Sequence, residues 1–594
     1  MVKMKSSLLL SLFVLSLLVV SCYNQRPDIK HVTYVEPADP EPIDVEAWEL
    51  TGRGLHLSYG SKDKKYKKGK VPMLSVIKDA NVQAWQGECV SLQAVIWSAY
   101  DVDQVECEWG DLVSANGDTI SRNIIQTHFV RYIMSDAGFV PAGDTLADDQ
   151  QGCLMPDMLD QLPCMNMEAR SVRPLWITLN LPDDMTAGVY RTSLKVYSKK
   201  NSPQELRLTL KVIDKKMPPV DLWSFQTNLA INPLSIARWH KVTSWSPAHF
   251  DVMDPYVALL KRAGQKTITT NIFSSLEDIK YESPLIKWTV QEKGLDADFT
   301  HFDQWVSFMM QQGISARIEC NVFFNDEHCI AVFDPQVNGY VHRTISVQED
   351  KVLLSQCLEA VISHLESKGW YDRSVFAYGS DNMKAVEGVK QVLQGIQPDV
   401  KLELLVQEWT PGLMDGVFAA NVPAQYSNLK EWFKIRNQQG QASFFHLDAN
   451  NRVPNIFLHS PSSEAAWLGW YAMAQGIDGL HVKDFNNWLD KPLLDARVSK
   501  QSSGGNFLIY PEGRSSIRYE RLIEGIQDYE KLRMIRDQEL AKGDVVAQQR
   551  LEKLDEVLSD FVINRIPRES AAQMIGNGRQ VLHELALPNG DKPE

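Results

Sequence analysis

From about residue 220 the chain repeats one pattern: a stretch with helical periodicity, then a short run of apolar residues. Residues 249–263 have the helical spacing and 266–272 follow as a strand. The same alternation pairs 302–312 with 316–322, 351–367 with 375–379, and 384–393 with 401–407. Strands separated by a whole helix run parallel, and a parallel sheet clothed in helices is buried on both faces. The repetition therefore predicts a (β/α)8 barrel over residues 219–510. In such a barrel the functional groups stand where strands end. Val375-Phe376-Ala377-Tyr378-Gly379-Ser380-Asp381-Asn382 brings Asp381 and Asn382 to that place, although an Asp-Asn pair ahead of a helix is more often an N-cap than a reacting group.

The flanks read differently. Residues 91–97, 175–181, 187–196 and 207–213 alternate apolar and polar, as half-buried strands do, and Met217-Pro218-Pro219 ends the run. A β-sandwich is expected over 44–218. Residues 511–594 are charged and helical, with 518–540 and 545–561 reading as a packed pair.

At the other end, residues 1–22 read as an export signal: Lys3 and Lys5, then an apolar run over 8–20 that is shorter than the roughly 20 residues needed to span a bilayer. Val19-Val20-Ser21-Cys22 resembles a bacterial lipobox with Cys22 as the lipidated residue, and the Pro- and acid-rich segment 23–43 reads as a tether. The expected product is a body held by a lipid at Cys22 to the outer membrane, on its periplasmic or outer face. The net charge of −14 argues against nucleic acid. The basic run Lys62 to Lys68 is expected as a solvated hairpin tip. No CxxC pair marks a zinc knuckle, and Cys153 with Cys164 is the one candidate disulfide. His446, His459 and His481 lack a ligand spacing and read as pocket or core residues, so no metal or other cofactor is expected.

Several stretches carry a family likeness: Leu229-Ala230-Ile231-Asn232-Pro233 with Arg238-Trp239, Pro454-Asn455 through Ser463-Glu464-Ala465-Ala466-Trp467, Asn486-Asn487-Trp488, and Ser515-Ser516-Ile517-Arg518-Tyr519-Glu520 through Gln527-Asp528-Tyr529-Glu530. Together they resemble glycoside hydrolase family 123 and its relatives that share the DUF4091 C-terminal domain. The resemblance implies a sandwich followed by a barrel, and exo-acting removal of terminal β-linked N-acetylgalactosamine. It also implies a retaining, substrate-assisted mechanism in which the acetamido oxygen replaces an enzyme nucleophile. In that scheme an Asp orients the acetamido group and the next residue, a Glu, is the acid/base.

Asp381 falls on the family's Asp, and Asn382 stands where the Glu is expected. An amide cannot give and retake a proton at neutral pH. Glu408, at the end of the next strand, is the replacement carried forward, with Glu319 and Asp484 as further candidates. Candidate sugar contacts are Asn232, Arg238, His446, Asn455, Lys483, Asn486 and Trp488. Trp467 and Trp470 read as core. Three readings stay open: a glycosidase with a relocated acid, a glycan-binding lipoprotein on a degenerate scaffold, and a hydrolase for another sugar whose pocket Lys483 and Asp484 define.

Overall fold

The computed structural model describes residues 27–587 apart from 31–32, 142–151, 276–278, 280–282, 324–328, 411, 427–428, 448 and 499–500. The export signal and Cys22 lie outside the described residues. Among the described residues no helix is long and apolar enough to cross a membrane.

Two sheets form the N-terminal sandwich. One carries the strands His56–Gly60, Cys89–Ser98, Ser171–Asn180, Ile125–Ser135 and Cys153–Asp160 in that spatial order; the other is built on Asp79–Gln86, Gln204–Lys216, Gly188–Tyr197, Val102–Trp109 and Met165–Met167. Ile96, Phe129 and Leu175 meet Leu194, Leu206 and Leu208 between them. The outer face of the first sheet is also covered, because Val130, Leu159 and Trp176 pack on Ile517. Ser171–Asn180 is consequently buried at nine of its ten positions, not at alternate ones.

Eight parallel strands follow: β1 Gln226–Leu229, β2 Thr267–Asn271, β3 Arg317–Phe323, β4 Ser374–Gly379, β5 Leu402–Leu405, β6 Ala419–Pro423, β7 Ala442–His446 and β8 Gly479–Val482. They pair in sequence order, and β8 pairs with β1. The barrel closes between β1 and β2 through a single bridge, Thr227 to Gln265. There the Gln265 side chain replaces the missing ladder, accepting from Leu229 N at 2.9 Å and donating to Thr267 O at 2.7 Å. Helices cover the outside, except that β5 passes to β6 without a helix among the described residues. The loops after β2 and β3 carry an unexpected four-stranded sheet, Lys287–Val290, Leu295–Asp298, Cys329–Asp334 and Gly339–Thr344, on the side where the barrel strands end.

Three helices close the chain: Ile517–Lys542, Val545–Leu558 and Ala571–Ala586. The first is buried at every position from Ile517 to Leu532 despite its charges. Those charges are paired: Arg518 with Asp157 at 3.0 Å, Glu520 with Arg262 at 2.5 Å, and Glu524 with Lys62 at 2.7 Å and Arg579 at 3.0 Å. The basic run is thus not a solvated tip. Lys62 is sealed against Glu524, Lys65 Nζ meets Leu458 O, and Lys67 pairs with Glu41 at 2.8 Å. The segment read as a tether is also held in part. Glu36 lies between Arg131 (2.9 Å) and Arg173 (2.7 Å), which keep its carboxyl down at about 2 against the effect of burial. No disulfide joins Cys153, on the strand Cys153–Asp160, to Cys164, which lies in the turn before Met165–Met167.

The helix Ser463–Gln475 crosses Ile517–Lys542 with glycine on both sides. A Cβ built on Gly469 would run into the carbonyl of Gly525, and one on Gly525 into the carbonyl of Ala466. Only hydrogen at these positions permits so close an approach. Gly469→Ala is expected to lower stability by roughly 2–3 kcal/mol through overpacking, measured by urea unfolding. A variant as stable as the parent would show that the two helices are free to separate.

Candidate active site

The barrel interior is polar where such interiors are usually aliphatic. Glu319 of β3, Glu403 of β5, Asn421 of β6, His446 of β7, His481 of β8 and Asn228 of β1 are buried side chains projecting toward the axis, with Arg317 of β3 half-buried among them. Arg317 lies against Glu403 and 3.6 Å from Glu319. Asn228 Nδ2 donates to Glu319 Oε2 at 2.6 Å, while Glu319 Oε1 has no partner. Burial, and then the charge of Glu403, push the Glu319 carboxyl up to about 8, so it holds its proton at neutral pH. Glu319, Glu403 and His481 offer ligand atoms within 4.8 Å of one another. Arg317 already supplies the cation there, and a divalent ion would have to displace it. The cluster reads as an internal ion pair with one neutral acid. Glu319 is therefore not at the mouth.

Asn421 joins this layer to the strand ends. Its Nδ2 donates to His481 Nδ1 at 3.0 Å, and its Oδ1 accepts from His446 Nδ1 at 2.8 Å. That arrangement leaves His446 Nε2 as an acceptor without a partner. Burial holds His446 at about 3 and His481 at about 4, so both rings are neutral.

At the mouth β4 is followed by Asp381, which is exposed. Its Oδ1 accepts from the backbone N–H of Gln407 (2.8 Å) and of Glu408 (3.1 Å), both just past β5. Asn382 begins the helix Met383–Ile396 as its N-cap, with Oδ1 accepting from Lys384 N at 3.0 Å and Ala385 N at 3.2 Å. Glu408 stands beside Asp381 but is exposed. Beyond β8, Lys483 is exposed and Asp484 is half-buried; burial raises the Asp484 carboxyl, with Lys483 and a 3.4 Å hydrogen bond from Asn487 opposing in part.

Four of the expected sugar contacts serve the fold. Asn232 caps the helix Pro233–His240 through Ser235 N and exchanges hydrogen bonds with Asn486 at 2.7 and 3.0 Å, which ties the loop after β1 to the loop after β8. Asn486 is fully buried, and so has no face for a ligand. Asn455 spends its amide on Arg452 O, Phe457 N and Ser460 Oγ inside its own loop. Trp488 is core, donating to Ile509 O and packing on Tyr256. Arg238 is exposed in the last turn of its helix. Trp467 and Trp470 are fully buried. Trp409, two residues past Gln407, was missed: its ring is half-buried against Trp432, and Nε1 has no partner. An aromatic placed just after a barrel strand was the available signal.

The profile described as "Glycoside hydrolase 123, catalytic domain" matches residues 231–535, and "Glycoside hydrolase 123 N-terminal domain" matches 59–198. A solved family 123 glycoside hydrolase from Clostridium perfringens, described in terms of glycolipid glycan hydrolysis, superposes with TM-score 0.80 over 90% of this chain and 99% of its own, at 19% identity. A Bacteroides ovatus GH5 xyloglucanase overlaps at TM-score 0.28 and 8% identity over 79% of this chain and 100% of its own, too little to bear on the argument. No curated protein sequence matches the chain.

The Glu319 proton has a consequence for stability. Its folded value of about 8 lies above the usual 4.5, so between those pH values the folded state binds more protons than the unfolded one. Stability from this group is complete below about pH 4.5 and is lost as pH rises through 8. Glu319→Gln, which stays neutral, is expected to remove that loss and to exceed the parent by roughly 2–5 kcal/mol at pH 8.5. Unfolding curves at pH 5 and 8.5 test it; parallel pH dependence in the two proteins would mean that Glu319 is ionised in the folded state.

Proposed function

The chain belongs to glycoside hydrolase family 123, and from that premise we propose that it releases terminal β-linked N-acetylhexosamine, N-acetylgalactosamine foremost, by a retaining, substrate-assisted route. Asp381 holds the acetamido group and Asp484 supplies the proton. The observation that carries this reading is the clamp on Asp381. Two backbone N–H groups fix Oδ1, which leaves Oδ2 to accept the acetamido N–H and to face the positive charge that develops beside it.

Asn382 has neither the chemistry nor the freedom to act as acid, since its side chain caps a helix. Glu408 is exposed. Asp484, whose carboxyl burial raises, has the environment of a proton donor. In the first step the acetamido oxygen bonds to the anomeric carbon, the glycosidic C–O bond breaks, and the Asp484 proton goes to the leaving oxygen. In the second, water adds to the anomeric carbon, its proton returns to Asp484, and the ring of the oxazolinium opens to restore the acetamide. Lys483, exposed beyond β8, offers a donor to a sugar hydroxyl. Glycans carried on lipids are a reasonable first substrate class, given the Clostridium relative, and a lipid on Cys22 would keep the enzyme at a membrane face. The N-cap role of Asn382 favours a second reading, glycan binding without turnover.

Hydrolysis of an aryl β-N-acetylgalactosaminide and of a β-N-acetylgalactosamine-terminated oligosaccharide separates these. Asp381→Ala is expected to cut kcat/KM at least ~100-fold on both. Asp484→Asn is expected to cost ~10²- to 10⁴-fold on the oligosaccharide, little on the aryl glycoside with its good leaving group, and to abolish the alkaline limb of the pH profile. Unchanged oligosaccharide turnover in Asp484→Asn would move the acid elsewhere. A parent protein that binds the oligosaccharide without cleaving it would establish the second reading.

A further inference from the structure

The sandwich meets the loops that follow β7 and β8 at several points. Its loop after Ile125–Ser135 is pinned to the loop that follows β8: Asp136 Oδ2 accepts from Ser503 N at 2.8 Å and Ser503 Oγ at 2.7 Å, and Val140 N donates to Ser502 Oγ at 2.8 Å. Between these anchors stands Phe139, half exposed. Its ring lies 6.2 Å from Phe457 and 6.5 Å from His459, edge to face with the latter, both in the loop that follows β7. The exposed Arg452, from the same loop, stands 5.7 Å over the Phe139 ring. His459 Nδ1 is buried without a partner, and burial together with Lys65 holds that ring neutral, near 4.

Stapling the sandwich to the barrel does not require this. The hydrogen bonds of Asp136 and Val140 already do so, and a purely structural Phe139 would be sunk in the seam. What the loop displays instead is an apolar ring edge and an exposed guanidinium, with a neutral, half-buried imidazole beside them. That set suits a sugar ring, which offers C–H groups on its faces and hydroxyls at its rim.

We infer that Phe139, Arg452 and His459 form a subsite for the leaving-group side of the glycan, built jointly by the sandwich and the barrel. The inference rests on Asp484 being the proton donor. A donor on the loop after β8 places the glycosidic oxygen on that side of the mouth, so the sugar beyond it extends over the loops that follow β7 and β8. The sandwich then contributes to substrate choice as well as to stability.

The test is a split between substrates. Phe139→Ala is expected to raise KM for the oligosaccharide roughly 3- to 10-fold, with kcat held within about twofold, as the loss of one ring contact implies. The aryl glycoside, which lacks a second sugar, should keep its kcat/KM, and Phe139→Tyr should restore the oligosaccharide KM. Equal losses on both substrates, or none on the oligosaccharide, overturn the subsite. If the parent protein turns over neither, calorimetric binding of the oligosaccharide and of N-acetylgalactosamine decides. Weaker oligosaccharide binding in Phe139→Ala with unchanged monosaccharide binding supports the subsite, and equal changes refute it.

Discussion

The structure depends on a charged helix placed where charges are costly. Ile517–Lys542 runs between the sandwich, the barrel and the last helices, and each of its buried ions has a partner on another element. Arg518 meets Asp157 of the sandwich and three carbonyls, those of Ile456, Gly504 and Phe507. Glu520 meets Arg262 from the barrel wall, and Glu530 receives Phe225 N at the entry to β1. Buried pairs of this kind add little net stability relative to apolar replacements, but removing one partner strands the other charge. They determine how the three bodies are seated on one another. The Gly469–Gly525 crossing then brings that helix close enough for the pairs to form.

Seating matters for chemistry because the mouth is assembled from parts far apart in the chain. Asp381 belongs to β4, and the N–H groups that orient it belong to the segment after β5. Asp484 and the serines that pin Phe139 come from the loop after β8, while Phe139 comes from the sandwich. The polar layer beneath, from Arg317 through Asn421 to His446, is neutral at its upper end. A floor of that kind adds no competing charge beneath the mouth.

The alternation of strand and helix was legible because burial on both faces of a parallel sheet leaves a signature in adjacent residues. The helix Lys351–Ser367 and the strand at Val375–Gly379 are visible in this way. The alternation held along Gly188–Tyr197 and Gln204–Lys216 but misread the strand over 175–181, because it describes the strand alone, and the C-terminal helix that covers its other face is some 340 positions away. The basic run Lys62–Lys68 failed for the same reason, its partner Glu524 being 462 residues distant. The four-stranded insertion after β2 and β3 was not anticipated, its strands being short and half exposed.

Composition and local pattern alone determined the fold class, the place of Asp381 at a strand end, and the fact that Asn382 lacks an acid's chemistry, because each depends on neighbours within a few residues. Tertiary structure decided the rest. Asn486, Asn455 and Trp488 look like sugar ligands in sequence, yet they are spent on hydrogen bonds and packing that only the folded loops reveal. Asp484 and Phe139 acquire their interest from burial and from a neighbour in another domain. An ionisable group's character is set by the dielectric and charges around it, and those are supplied by residues that meet only once the chain has closed.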